Sequence, residues 1–194
     1  MPSGKDVAYA AKVVLSGGVI AYPTETVYGI GALACDTNAL REVFRVKKRP
    51  ESQPLSVAVS GMEMLREVAF VEHEDFIRRF LPGPVTVILK KKATLPDLLT
   101  AGSDYVGIRY PDHPVALGLI DRTGPIVSTS ANLHGEPDPV TAEEVTVDVA
   151  YVLDGGRCRY AGPSTIVDLR TYEIVRKGVM YEEIRRYLDE SCHR

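Results

Sequence analysis

The chain has little of what gives a protein a ready-made reactive centre. Its three cysteines, Cys35, Cys158 and Cys192, are far apart, odd in number and without a C-x-x-C pair. That excludes a disulfide framework and a zinc cluster, and the thiols read as buried or incidental. The four histidines, His73, His113, His134 and His193, are scattered in polar settings with no H-E-x-x-H spacing, so no metal cage built from protein alone is expected. There is no G-x-S-x-G nucleophile elbow and no G-x-x-x-x-G-K-[ST] phosphate loop. Long apolar runs are also missing: stretches such as Val13 to Leu15 and Val19 to Tyr22 fall far short of the roughly 18 to 20 residues that a bilayer requires. The start, Met1-Pro2-Ser3-Gly4-Lys5-Asp6, is polar at once and shows no export signal. A cytoplasmic protein without membrane association is the expectation. Charge of one sign is not in excess either: 23 Lys and Arg against 26 Asp and Glu leave a net charge of -3. No global field grips a polyanion, so any phosphate binding must be local.

What is present is an ordinary globular composition, 45% hydrophobic and 25% charged over 194 residues, enough for one domain spanning 1–194 with a real core. Val7, Ala10, Ala11, Val14 and Leu15 form a helical stripe behind a capping box of Ser3 and Asp6, closed by Gly17-Gly18. Asp36 or Thr37 caps a second helix whose Leu40, Val43 and Phe44 face inward and whose basic end stops at Pro50. Ser60 with Glu63 opens a helix over 62–68, and further helices fit 73–81, 114–122, 142–145 and 181–190. Strand patterns occupy 19–22, 55–59, 85–89, 105–109, 126–128, 151–153, 165–169 and 172–176, with a hairpin break at Arg170-Thr171. This interleaving predicts an α/β or α+β layered protein on a mixed sheet.

Gly29-Ile30-Gly31-Ala32-Leu33-Ala34 matches the dinucleotide fingerprint G-x-G-x-x-A, but the preceding strand ends near Tyr22 and the next helix begins only near Thr37. The fingerprint must sit directly on a strand-to-helix turn, so this match is set aside. Four polar loops at element ends carry the chemistry instead. Pro23 to Gly29 concentrates small hydroxyls and a carboxylate. Lys47-Lys48-Arg49-Pro50 ends a helix, where a solvated cationic turn is the plain alternative. Ser128 to Asn132 and Gly162 to Thr165 add hydroxyls and an amide, which ordinary turn chemistry would also explain. In open α/β sheets ligands bind outside the strand ends, where the chain places these groups.

At this point the sequence resembles the YrdC family, the L-threonylcarbamoyl-AMP synthases. The resemblance rests on Thr24-Glu25-Thr26-Val27-Tyr28-Gly29, on Lys47, Arg49 and Pro50 as Lys-x-Arg-Pro, on Pro-Gly-Pro-Val-Thr at 82–86, on Arg109-Tyr110-Pro111, on Ser130 and Asn132 as Ser-x-Asn, and on Ser164-Thr165 before a strand. It runs in the family's order from about Val19 to Gly178. It implies a twisted mixed sheet with helices around a concave cavity, and the conversion of L-threonine, bicarbonate or carbon dioxide, and ATP into threonylcarbamoyl-AMP and pyrophosphate. A separate transferase and its tRNA would use the product. The chain departs from the family's pattern at Ala58, where many members have histidine, and at Lys177 in Arg176-Lys177-Gly178, where Arg-Pro-Gly is usual. Ending at Arg194, it resembles the short single-domain form.

On this reading Lys47 and Arg49 hold phosphate oxygens, the arginine as a fork and the lysine as a point charge. Ser130 and Asn132 add neutral donors toward the nucleotide or its metal, Mg2+, which binds mainly through the phosphates. Arg109 suits the α-carboxylate of threonine. The resemblance places Thr26, Ser128 and Ser164 in the amino-acid site and Gln53 and Arg176 on the nucleotide side. The competing reading is an RNA-binding module without adenylate-forming activity, in which Arg45 to Arg49 and Lys90 to Lys92 track phosphates and Tyr22, Tyr28 and Tyr110 offer stacking faces.

Overall fold

Asp6 shows how local chemistry starts the fold. In the computed structural model, which describes residues 1–133 and 135–191, its carboxylate accepts the amides of Ala8 and Tyr9 at 2.9 and 3.0 Å. It alone caps α1 (Val7–Leu15). Ser3, expected to share that role, lies in strand β1 (Ser3–Gly4) instead, because the residue directly before the helix is the one whose side chain reaches the free amides. Cys192 and His193, as well as His134, fall outside the described residues.

The chain continues through β2 (Ile20–Tyr22), β3 (Gly29–Gly31), α2 (Thr37–Lys47), β4 (Ser56–Ala58), α3 (Met62–Val68), α4 (Glu74–Phe80) and β5 (Val85–Lys90). It then forms β6 (Tyr105–Arg109), α5 (Pro114–Thr123), β7 (Ile126–Ser130), β8 (Tyr151–Leu153), β9 (Thr165–Asp168), β10 (Glu173–Arg176) and α6 (Tyr181–Ser191), with 3-10 turns at Asp97–Thr100 and Ala142–Glu144. The strands hydrogen-bond in the order β1-β8-β2-β3-β7-β4-β6-β5-β9-β10. Pairs β1/β8, β2/β8, β4/β6 and β5/β9 are parallel and the rest antiparallel, so the sheet is mixed as expected. The β9/β10 hairpin turns at Arg170-Thr171.

Three local expectations are corrected. Ser60 and Glu63 make no capping box: Gly61 is the N-cap without a side-chain bond, and Ser60 Oγ sits 3.8 Å from Met64 Sδ. The helix expected at 142–145 is a single 3-10 turn with no buried residue, too short to bury an apolar face. Gly29–Gly31 forms β3, antiparallel to β2 and β7. Close approach favours glycine there, since a Cβ on Gly29 or Gly31 would stand a tight 3.3 or 3.1 Å from the ring of the fully buried Tyr22.

Two apolar clusters flank the sheet. One packs Ala10, Ala11 and Val14 of α1 against Ala116, Leu119 and Ile120 of α5 and against β2 and β8. The other joins Leu40 and Val43 of α2, Phe76 and Phe80 of α4, and Ile184 and Leu188 of α6 to the core faces of β5, β6 and β9. Strand alternation then builds the cavity. Val85, Val87, Val106, Ile108 and Val127 point into the core, so Thr86, Ile88, Tyr105, Gly107, Arg109 and Ser128 point to the opposite face and form a concave floor. Gly107 keeps that floor low, because a Cβ there would stand 2.6 Å from Ser56 Oγ.

Candidate functional site

The floor, the loop between β2 and β3, and the segments flanking α2 and β9 enclose a cavity of about 450 Å3. Of the residues singled out from the sequence, Thr26, Arg49, Arg109, Ser128, Ser130, Ser164 and Arg176 line it, while Lys47, Gln53 and Asn132 do not. Arg49 and Arg109 thus share the cavity, and Asn132 is bonded to the lining Ser130.

Lys47 is buried, with 2% exposure. Its Nζ donates to the backbone oxygen of Ser130, to that of Asn132 at 2.8 Å and to Asn132 Oδ1 at 3.3 Å. Ser130 Oγ donates to Asn132 Oδ1 at 2.5 Å, and Asn132 Nδ2 donates to Glu136 O at 2.5 Å. An ammonium has three protons, and these three acceptors engage them. In this structure Lys47 ties the Ser130–Asn132 turn to the end of α2 rather than reaching freely into the cavity. Burial pushes its pKa down to about 8, with the nearby Arg49 charge adding to the shift and Asp138 opposing it. Gln53 is fixed through its backbone, its amide donating to Pro50 O at 3.0 Å.

Arg109 is 4% exposed. Its Nη1 donates to the carbonyls of Gly83 and, at 2.8 Å, Val85, and its Nη2 reaches Glu25 Oε1 at 2.6 Å. The charge of Arg109 is already met by Glu25, so a ligand carboxylate would meet only its remaining donor capacity. Glu25, 1% exposed, has its other oxygen, Oε2, buried without a partner. The sequence marks the Glu25 carboxylate within its polar loop but not its partner. The signal was available in the Thr-Glu-Thr loop, but the pairing joins residues 84 positions apart.

The remaining lining arginines divide sharply. Arg170 pairs with Asp168 at 2.5 Å and lies over the Tyr105 ring at 3.9 Å. Arg49 and Arg176 have no carboxylate within ion-pair distance among the described residues. Arg49 Nη2 donates to Pro54 O at 2.9 Å while its Nε is buried without a partner, and burial lowers its pKa. Arg176, at the exposed rim, donates to Ser164 O at 2.8 Å and Ser164 Oγ at 3.0 Å. Ser164 Oγ also meets Thr86 Oγ1 at 2.8 Å. The cavity thus presents Arg49, without a carboxylate partner among the described residues, together with a connected set of Arg176, Ser164 and Thr86 that lies beside Arg109.

Two of the three rings invoked for RNA stacking are not at the surface, while the third, Tyr110, is partly buried. Tyr22 and Tyr28 are both 0% exposed. Of the lysine run, Lys91 Nζ is held by Asp97 at 2.7 Å and Lys92 Nζ by the carbonyl of Arg66, and Arg45 pairs with Glu42 at 2.5 Å. No helix is long and apolar enough to cross a membrane, and no group of three or more His, Cys, Asp or Glu is arranged to hold a metal, among the described residues.

Titration of the buried groups gives a pH signature. Folded Lys47 holds its proton less tightly than an ordinary lysine near 10.5, so the unfolded chain binds more protons between about pH 8 and 10.5 and the Lys47 contribution to stability rises with pH there. Burial raises Tyr22 and Tyr28 from 10.0 to about 12, so they hold protons more tightly when folded, and their contribution is lost as pH climbs from 10 to 12. Burial likewise raises the Cys158 thiol from 9.0 to about 11, so its contribution is lost over that span. Denaturant unfolding across pH 7 to 12 is expected to show stability rising from about pH 8, levelling above pH 9 as Cys158 opposes Lys47, and turning down above pH 10. A monotonic fall from pH 8 contradicts the buried, charged Lys47.

A family model described as "Telomere recombination", Sua5/YciO/YrdC, matches residues 12–178. The threonylcarbamoyl-AMP synthase of Pyrococcus abyssi is 37% identical over 95% of this chain and 57% of its own length. That of Cellvibrio japonicus is 36% identical over 88% of this chain and 94% of its own length. This chain therefore spans little more than half of the archaeal relative and nearly all of the bacterial one. The crystal structure of P. abyssi Sua5 complexed with L-threonine superposes with a TM-score of 0.85 at 35% identity, over 91% of this chain and 57% of that one. With the fold, the order of the cavity-lining motifs and the family match all in agreement, the chain belongs to the Sua5/YciO/YrdC family.

Proposed function

We propose that this chain is a threonylcarbamoyl-AMP synthase, joining L-threonine, bicarbonate or carbon dioxide, and ATP with release of pyrophosphate. The observation that carries the reading is a single cavity that brings together Arg49, which has no carboxylate partner among the described residues, Arg176 bonded to the Ser164 hydroxyl, and the hydroxyls beside Arg109. The relatives' names and the threonine-bound structure support it. The threonine amine adds to carbon dioxide to form a carbamate, whose oxygen attacks the α-phosphorus while pyrophosphate leaves. No enzyme nucleophile is required, and the work of the protein is placement and charge stabilisation.

Arg49 and Arg176 would face the phosphates, with Ser130 presented by the turn that Lys47 and Asn132 hold. Thr26, Ser128 and Ser164 would face the amino acid. Gln53, next to Pro54 behind Arg49, would act at the nucleotide end. Mg2+ fits as ATP's companion rather than in a protein cage, since the cavity lining has hydroxyls and one carboxylate but no cluster of acidic ligands. When bound it would neutralise phosphate charge. The reading extends to a cytoplasmic enzyme that hands its product to a separate transferase acting on tRNA. Direct RNA binding by this chain has less support, because Tyr22 and Tyr28 are buried and Lys91 and Lys92 are engaged within the protein.

The test is pyrophosphate release by the purified protein. It is expected to require threonine and bicarbonate together with ATP and Mg2+, and to drop sharply when serine replaces threonine or bicarbonate is omitted. Release at an equal rate without threonine overturns the synthase reading. Nucleic-acid affinity that falls steeply with salt and ignores threonine and ATP would favour the RNA-binding module.

A further inference from the structure

Asp138 carries the one carboxylate among the described residues that line the cavity. The neighbouring acids are spoken for, Glu25 by Arg109 and Asp168 by Arg170. Asp138 has no hydrogen bond or ion pair among the described residues. It is nevertheless rigidly presented. Pro137 and Pro139 flank it, which fixes φ on both sides and holds Asp138 itself in extended backbone. The segment is tied at both ends: Asn132 Nδ2 donates to Glu136 O at 2.5 Å, the Tyr28 amide donates to Pro139 O at 2.8 Å and the Cys158 amide to Val140 O at 2.9 Å. The charge of Asp138 is felt by both Lys47 and Arg176, which places it at the cationic end of the cavity.

A fixed anion beside a site for a polyanionic triphosphate is repulsive unless a cation lies between them. Mg2+ is commonly bound by one or two carboxylates together with substrate phosphates, its remaining positions filled by water. Resting on the synthase reading, we propose that Asp138 is the protein's own oxygen ligand to the divalent cation that arrives with ATP, directly or through one of the cation's waters. It would thereby fix where the cation and the phosphates sit.

The experiment is calorimetric titration of α,β-methylene-ATP into the wild-type protein and Asp138→Asn, each with saturating Mg2+ and with EDTA, paired with Mn2+ binding to the analogue complex followed by electron paramagnetic resonance. In the wild type, Mg2+ is expected to tighten analogue binding. In Asp138→Asn that enhancement should fall by roughly 10- to 100-fold, Mn2+ affinity of the complex should fall in parallel, and binding in EDTA should be equal or tighter because the repulsion is gone. An enhancement unchanged by the substitution overturns the proposal and leaves the cation wholly on the phosphates. Equal weakening with and without Mg2+ also overturns it and makes Asp138 a direct nucleotide contact, such as to ribose hydroxyls. Failure of the wild type to bind the analogue under either condition removes the synthase reading itself, and is read from the wild-type titrations alone.

Discussion

Arg49→Ala is expected to lower threonine-dependent pyrophosphate release by roughly 100- to 1000-fold, the usual loss for a donor that acts on charge developing in a transition state. It should change the unfolding free energy by less than about 1 kcal/mol. The two expectations belong together. Arg49 has no carboxylate partner among the described residues, a buried Nε without a partner, and one hydrogen bond, to Pro54 O. A guanidinium held this way does little for the fold and is placed to meet an anion. Steady-state pyrophosphate assays beside urea melts decide the matter. Loss of activity accompanied by a large loss of stability would make Arg49 a structural residue and remove the main support for the nucleotide end of the cavity.

Arg109 is expected to behave in the opposite way. Arg109→Met leaves Glu25, 1% exposed, as a buried charge with both carboxylate oxygens unanswered. Breaking a buried pair from one side typically costs 3–5 kcal/mol, whereas replacing both partners with neutral groups of similar volume costs far less. The double variant Glu25→Gln/Arg109→Met should therefore recover much of the stability lost in the single variant, by roughly 2 kcal/mol or more, without recovering threonine-dependent activity. Denaturant melts of both variants and the wild type test this. A double variant no more stable than Arg109→Met would show that the bonds from Arg109 to the Gly83 and Val85 carbonyls matter more than the ion pair.

Much of the fold was legible because several segments state their roles locally. The apolar stripes of α1 and α2 and the alternating β5 and β6 agree between sequence and structure. Pro50 follows a helix that ends at Lys47, with Lys48 in the left-handed region at φ 51. What was not legible depends on partners far along the chain. β3 is missing from the strand patterns because Gly-Ile-Gly has poor strand propensity, and the Tyr22 ring packed against it explains the glycines. Lys47 and Arg49 look equivalent in a basic run, yet they are two residues apart and end up differently: Lys47 turns inward at the last turn of α2, and Arg49, beyond the helix, reaches the cavity. The hydroxyls of Thr26, Ser128 and Ser164 could be named from motifs, but the guanidinium among them could not be matched to Glu25 without the fold.

The floor of the cavity has a consequence for how this protein comes into being. Its strands derive from positions scattered between 56 and 168, and parallel partners such as β5 and β9 meet only after long loops close. No short portion of the polypeptide assembles this platform by itself, so any binding there depends on the cooperative native state. Small molecules seated on that platform would consequently act as folding ligands, adding about 2.7 kcal/mol when present at a hundred times their dissociation constant.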